Sequence, residues 1–137
     1  DFNMDVDAIE TARQYMNDYH LVEGFTPEQA IEENVNTKTW FEQAVPMMRF
    51  GPIVMMTHHA PSESSIRGRY LQSTPAYANR MEDFIKKHPA ITHWISGHCH
   101  KSNDYMIEQC RMISNPWGYY KSEENEEFQM DFEFEVG

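Results

Sequence analysis

Cysteine is scarce in this chain: there are two in 137 residues, Cys99 and Cys110. That excludes the dense, even-numbered disulfide framework of a small secreted domain, and a reducing compartment such as the cytoplasm fits best. Long apolar runs are missing too, and no stretch approaches the ~20 residues that cross a bilayer, so no membrane partner is expected. The N-terminus has no basic-then-apolar signal layout. It opens at Asp1-Phe2-Asn3 without an initiator Met, and the expectation is a chain that starts mid-protein. Basic residues are outnumbered, 11 Lys and Arg against 22 Asp and Glu, for a net charge of -11. Such a field repels the phosphates of nucleic acids and anionic lipids, which argues against sequence-independent nucleic-acid binding.

What is present is aromatic and apolar enough to fold. Eight Phe, seven Tyr and three Trp stand within a 40% hydrophobic composition, which excludes a disordered chain. The length suits one domain or part of one.

Helical spacing of Val6, Ile9, Ala12, Met16 and Tyr19 predicts an amphipathic helix over residues 5–20. Gly24 breaks it. Thr26-Pro27-Glu28-Gln29 then offers an N-cap, a proline at the first helical position and a capping-box Gln, so a second helix begins at Pro27. The pattern predicts an interruption near residues 34–37 and an end at Pro46. Pro52 to Thr57 is a short apolar run that predicts a strand buried on both faces. Ser62 to Gln72 predicts a loop, and one apolar face over Pro75 to Lys87 predicts a third helix. Further strands are predicted over residues 91–96, 105–107 and 111–114, the last closed by the turn sequence Asn115-Pro116-Trp117-Gly118. Ser122 to Glu127 predicts a solvated acidic loop. Phe128, Met130, Phe132, Phe134 and Val136 alternate with polar residues, a period of two that predicts a half-buried strand.

Histidines end two of these apolar runs. His58 follows the first, and Gly97-His98-Cys99-His100 follows the second, where ligand sites of α/β sheets concentrate. Two histidines one residue apart after a glycine can present both imidazoles to one site, although the spacing alone is permissive. If the two strands are parallel neighbours, both loops reach one edge of the sheet.

The ordered set Thr57-His58-His59-Ala60-Pro61-Ser62, Ala76-Tyr77-Ala78, Trp94-Ile95-Ser96-Gly97-His98-Cys99-His100, Asp104-Tyr105, Arg111 and Asn115-Pro116-Trp117-Gly118-Tyr119 resembles the calcineurin-like metallophosphoesterases over residues 52–120. The opening Asp1-Phe2 resembles the segment after that family's third motif. The resemblance implies an α/β fold, with residues 1–137 as the C-terminal part of the domain: the second half of an α/β/β/α sandwich, with helices flanking a mixed sheet. It implies that His58 and His98 bind one divalent metal and His100 a second, drawn from Mn, Fe or Zn. The implied activity is hydrolysis of a phosphomonoester or phosphodiester, two metals about 3.5 to 4 Å apart clamping the phosphate and activating water.

The family's Asp-x-His, Gly-Asp-x-x-Asp and Gly-Asn-His-Glu or Gly-Asn-His-Asp motifs do not occur in this chain. The chain therefore carries half a site, is expected to be inactive alone, and no residue of it is assigned as catalytic. Its expected partners are a phosphate-ester substrate and either the N-terminal half of the domain or a second copy, because an unpaired strand edge and an uncovered apolar face recruit other chains. A non-catalytic module that binds one metal or a partner, and an inactive regulatory relative, remain open alternatives.

The remaining candidates have plain explanations. His59 serves equally as a partner of the ligands or as an ordinary polar residue at a strand end. His88 before Pro89 reads as a helix-terminal cation, and His20 and His93 lack motif context. Cys99 reads as structural, its side chain turned away from its neighbours. Arg67 and Arg69 read as a solvated loop, although bidentate contact with a phosphate is within their chemistry. Asn115 and Tyr119 fit a turn.

Overall fold

The computed structural model describes residues 6–66 and 74–136. The Asp1-Phe2 opening and the Arg67 and Arg69 candidates lie outside them. The described chain is mixed α/β, with a four-stranded mixed sheet, a short two-stranded ribbon and helices. None of its described helices is long and apolar enough to cross a membrane.

Helix α1 (Val6–Tyr15) and the short turn α2 (Asp18–Leu21) share the predicted first helix between them. Helix α3 (Pro27–Ala44) starts where the capping residues predict. The Thr26 hydroxyl accepts the Gln29 N–H at 3.3 Å, and the Gln29 side-chain oxygen accepts the Thr26 N–H at 3.0 Å. The interruption predicted at residues 34–37 does not occur. Asn34, a residue that favours competing local bonds, instead donates its amide to Asn79 Oδ1 at 2.6 Å, so a tertiary partner removes that competition.

Strands β1 (Ile53–Met56), β2 (Ile91–Ile95), β3 (Asn103–Ile107) and β4 (Cys110–Ser114) form a sheet of order β1-β2-β4-β3. β1, β2 and β4 run parallel, and β3 returns antiparallel to β4 through a tight hairpin. One face carries the core: Met55, Trp94 and Met112 stand in register there and pack with Phe41 and Val45 from the α3 end and with Phe84 and Ile85 of α5 (Glu82–Lys87). The opposite face presents the row Val54, His93, Arg111 and Met106. Val54 and Met106 of that row, and Met56 beyond it, are exposed.

Two predicted elements are replaced. The single helix over residues 75–87 is split into α4 (Thr74–Tyr77) and α5, because Ala78 to Met81 bond to the loop after β1 instead. Asn79 N–H donates to Ala60 O at 2.8 Å and Met81 N–H to Pro61 O at 2.9 Å, bonds a continuous helix would forbid. The strand predicted over residues 128–136 is irregular chain. Asn115 clamps Gln129, donating to its carbonyl at 2.8 Å and accepting its N–H at 3.0 Å, and Phe134 stacks on His93 at 5.2 Å. Alternation supplies two faces, but a strand also needs a neighbour to bond with, and no described edge offers one to this segment.

Candidate functional site

β1 and β2 are adjacent and parallel, so the loops that leave their C-terminal ends emerge side by side. The ladder continues past both strands: Thr57 N–H donates to Ile95 O at 3.0 Å, and Gly97 N–H to His58 O at 3.0 Å. A side-chain relay fixes the first loop from below. The Trp94 indole N–H donates to Thr57 Oγ1 at 2.9 Å, and the Thr57 hydroxyl donates to His59 O at 2.7 Å. In the second loop His98 adopts a φ of 61°, the left-handed region in which a Cβ crowds the following carbonyl. Holding it there costs on the order of 1–3 kcal/mol, and such strain clusters at functional loops.

The result is a histidine cluster. His98 Nδ1 and His58 Nε2 lie 3.1 Å apart, within hydrogen-bond distance. The His59 ring stands 4.3 Å from that of His98 and 5.3 Å from that of His58, and Tyr77 covers His98 at 4.7 Å. Burial, reinforced by His98 and then His58, pushes the His59 pKa down to about 3. Burial and then His58 lower that of His98 to about 4, against a smaller opposing pull from Asp18. Both rings are therefore neutral near pH 7, the form in which imidazole binds metal.

These two histidines make stability depend on pH. Their folded-state values lie below the ordinary 6.5, so the unfolded chain binds more protons once the pH falls below 6.5. The stabilisation is complete above 6.5 and is lost progressively as the pH falls toward 4. At pH 4.5 each such group costs on the order of 2 to 3 kcal/mol relative to pH 7. Urea unfolding of the metal-free chain at both pH values, with the His59→Gln/His98→Gln variant beside it, checks this. Equal pH dependence in the two proteins would refute the assignment.

His100 is placed differently from His58 and His98. Its Nδ1 lies 3.5 Å from Glu123 Oε1 and its ring packs edge-on against Tyr119 at 4.5 Å, while its charge is felt at His98. A carboxylate on the Nδ1 side can orient the ring and leave Nε2 to a metal, as carboxylates do around metal-binding histidines. Glu123 belongs to β6 (Glu123–Glu124), which pairs with β5 (Gly118–Tyr119) in the small ribbon. Among the described residues, no group of three or more His, Cys, Asp or Glu side chains forms a metal cage.

Cys99 is buried with Ala60, Ile66 and Ala78, and burial pushes its thiol up to about 12. It is a packing residue. His93 is buried under Phe134, and His88 lies 3.9 Å from Glu42. Asn115 holds the chain at Gln129, 14 residues on, and Gly118 and Tyr119 form β5, so the predicted turn is replaced by a tertiary clamp and a strand. Sequence reasoning left His59 aside and assigned no role to Tyr77, Asp18 or Glu123, yet all four stand at the histidines. Only His59 had a visible signal, its place beside His58. Beyond the cluster, a cavity of about 630 Å³ opens between α3 and the loop after β1, with His58 and His59 on its wall.

No family model matches the chain, and no solved structure matches it. It is 26% identical over 126 residues to an uncharacterized protein of Acanthamoeba polyphaga mimivirus, an alignment that covers 80% of this chain and 44% of that protein. The chain thus spans less than half the length of that relative.

Proposed function

We propose that this chain supplies the histidine part of a dinuclear metal site that hydrolyses phosphate esters, within the second half of a metallophosphoesterase sandwich. The observation that carries this reading is the 3.1 Å separation of His58 Nε2 and His98 Nδ1 at the ends of neighbouring parallel strands. Two imidazole nitrogens each about 2.1 Å from one ion, and about 95° apart, would be separated by about 3.1 Å. The donor set fits a divalent Mn, Fe or Zn ion, and the low pKa of His98 keeps that ring ready to bind near neutral pH. His58 and His98 would hold one metal, and His100, oriented by Glu123, the other.

When bound, the two ions would polarise the phosphate and activate water. The chain's own residues do the positioning. The Trp94, Thr57 and His59 relay sets the first loop, the left-handed turn at His98 sets the second, and Tyr77 packs against the His98 ring. The sheet face that carries exposed Val54, Met56 and Met106 is the surface expected to meet the N-terminal half of the domain, or a second copy. The same face favours a second reading, a non-catalytic module that binds a partner. The cytoplasm suits the two buried free thiols, Cys99 and Cys110.

Calorimetry of the pure chain with Mn or Zn is expected to show binding that both His98→Ala and His58→Ala remove and that His100→Ala weakens. Heats unchanged by all three substitutions would place the metal elsewhere. Metal binding without turnover in the complete protein would favour the non-catalytic module.

A further inference from the structure

The cavity beside His58 is an open cleft large enough for a small ligand, and the histidine pair itself does not need it. Its volume of about 630 Å³ falls within the ~300–1,000 Å³ of ordinary small-molecule sites. We propose that it receives the leaving group of the ester, and that this group is a flat, uncharged aromatic ring, as in a nucleoside or an aryl alcohol. The proposal rests on the phosphoesterase reading above, and it names the substrate class.

Position comes first. His58 and His59 line the cavity, whereas His98 and Tyr77 do not, so it reaches the metal-binding pair from the His58 side. A phosphate held at the pair would therefore have its ester oxygen, and whatever that oxygen carries, facing the cavity. The lining chemistry then selects the group. Phe25 and Trp40 stand in the wall, and Trp40 is 57% exposed although it is the largest side chain of α3. Phe41 and Trp94 complete an aromatic side, but both already belong to the core. An indole face left open in a cavity is a stacking surface, and stacking accepts any flat ring.

Charge narrows the choice further. Among the described residues the charged lining side chains are Glu33 and Lys38, one of each sign, in a chain of net charge -11. These described residues offer a second phosphate no surplus of cations, so a monophosphate of a neutral ring suits them best. Asn36 and Thr37 add polar groups at the wall that can orient the ring edge.

The experiment follows the three indole N–H resonances of this chain with Zn present, during titration with adenosine monophosphate, phenyl phosphate or glycerol phosphate. The first two are expected to shift the Trp40 signal and leave that of Trp117, which packs on Phe128, in place. Glycerol phosphate should move neither. Trp40→Ala should weaken binding of the aromatic esters about tenfold or more, with Trp40→Phe retaining most of it. A larger shift with adenosine monophosphate than with phenyl phosphate points to nucleosides, and the reverse to simple aryl groups. An unshifted Trp40, or equal shifts with glycerol phosphate, overturns the proposal. In the complete protein, Trp40→Ala should cut the preference in kcat/KM for phenyl over glycerol phosphate about tenfold, the remainder being the better leaving ability of phenolate. Turnover with the preference undiminished overturns the pocket and leaves the phosphoesterase reading standing. No turnover of any ester by the complete protein overturns the reading, and the pocket assignment falls with it.

Discussion

If the proposed reading holds, His98→Ala is expected to lower metal-dependent turnover of an aryl phosphate by the complete protein on the order of 10³-fold, and this chain alone is expected to give none. The size of the effect follows from what the side chain touches. Its Nδ1 stands 3.1 Å from His58 Nε2, so removing the ring leaves His58 without the second donor at that position. Alanine keeps the Cβ that the left-handed φ of 61° strains, and His98 lies outside the buried core clusters, so the fold should survive the change with little shift in stability. Loss of activity with an unchanged unfolding midpoint therefore separates a ligand from a structural histidine. Full turnover in the variant, or metal-dependent turnover by the isolated chain, would show that the site is completed by other residues.

Trp94→Ala is expected to destabilise the fold by about 3 to 5 kcal/mol, the range for deleting a buried large aromatic. Trp94 is 1% exposed and meets Phe41 edge-on at 5.9 Å and Phe84 at 6.4 Å, at the centre of the core beneath the sheet. The same side chain donates to Thr57 Oγ1 at 2.9 Å, one step from the carbonyl of His59. A single residue thus couples the core to the histidine loop. Trp94→Phe separates the two roles: it keeps most of the packing, loses the indole N–H, and should cost about 1 to 2 kcal/mol. Denaturant unfolding measures both variants, and metal calorimetry reports the loop. A cost below 1 kcal/mol for Trp94→Ala would mean that the core is not centred on this strand.

The strands that carry the histidines were legible because each is a short apolar run with turn residues on both sides. The start of α3 was legible because a capping box lies within four residues, Thr26 to Gln29. Elements decided by distant partners were not. Nothing local to Ala78 announces that the chain leaves the helix there, since the cause is hydrogen bonding to Ala60 and Pro61. The tail after Phe128 carries a strand's alternation, but its path follows from Asn115 and His93, which lie far back in the chain.

By itself, then, the sequence determined the α/β class, the four strand segments of the main sheet and the placing of both histidine loops at strand ends, all properties of spacing and capping within a few residues. Only the tertiary structure decided which histidines meet. His58 and His98 are 40 residues apart, and their contact depends on β1 and β2 being parallel neighbours in one particular register. That register sets His59 and Tyr77 against His98, and the β5–β6 ribbon brings Glu123 to His100, because side-chain packing between elements carries no local signal.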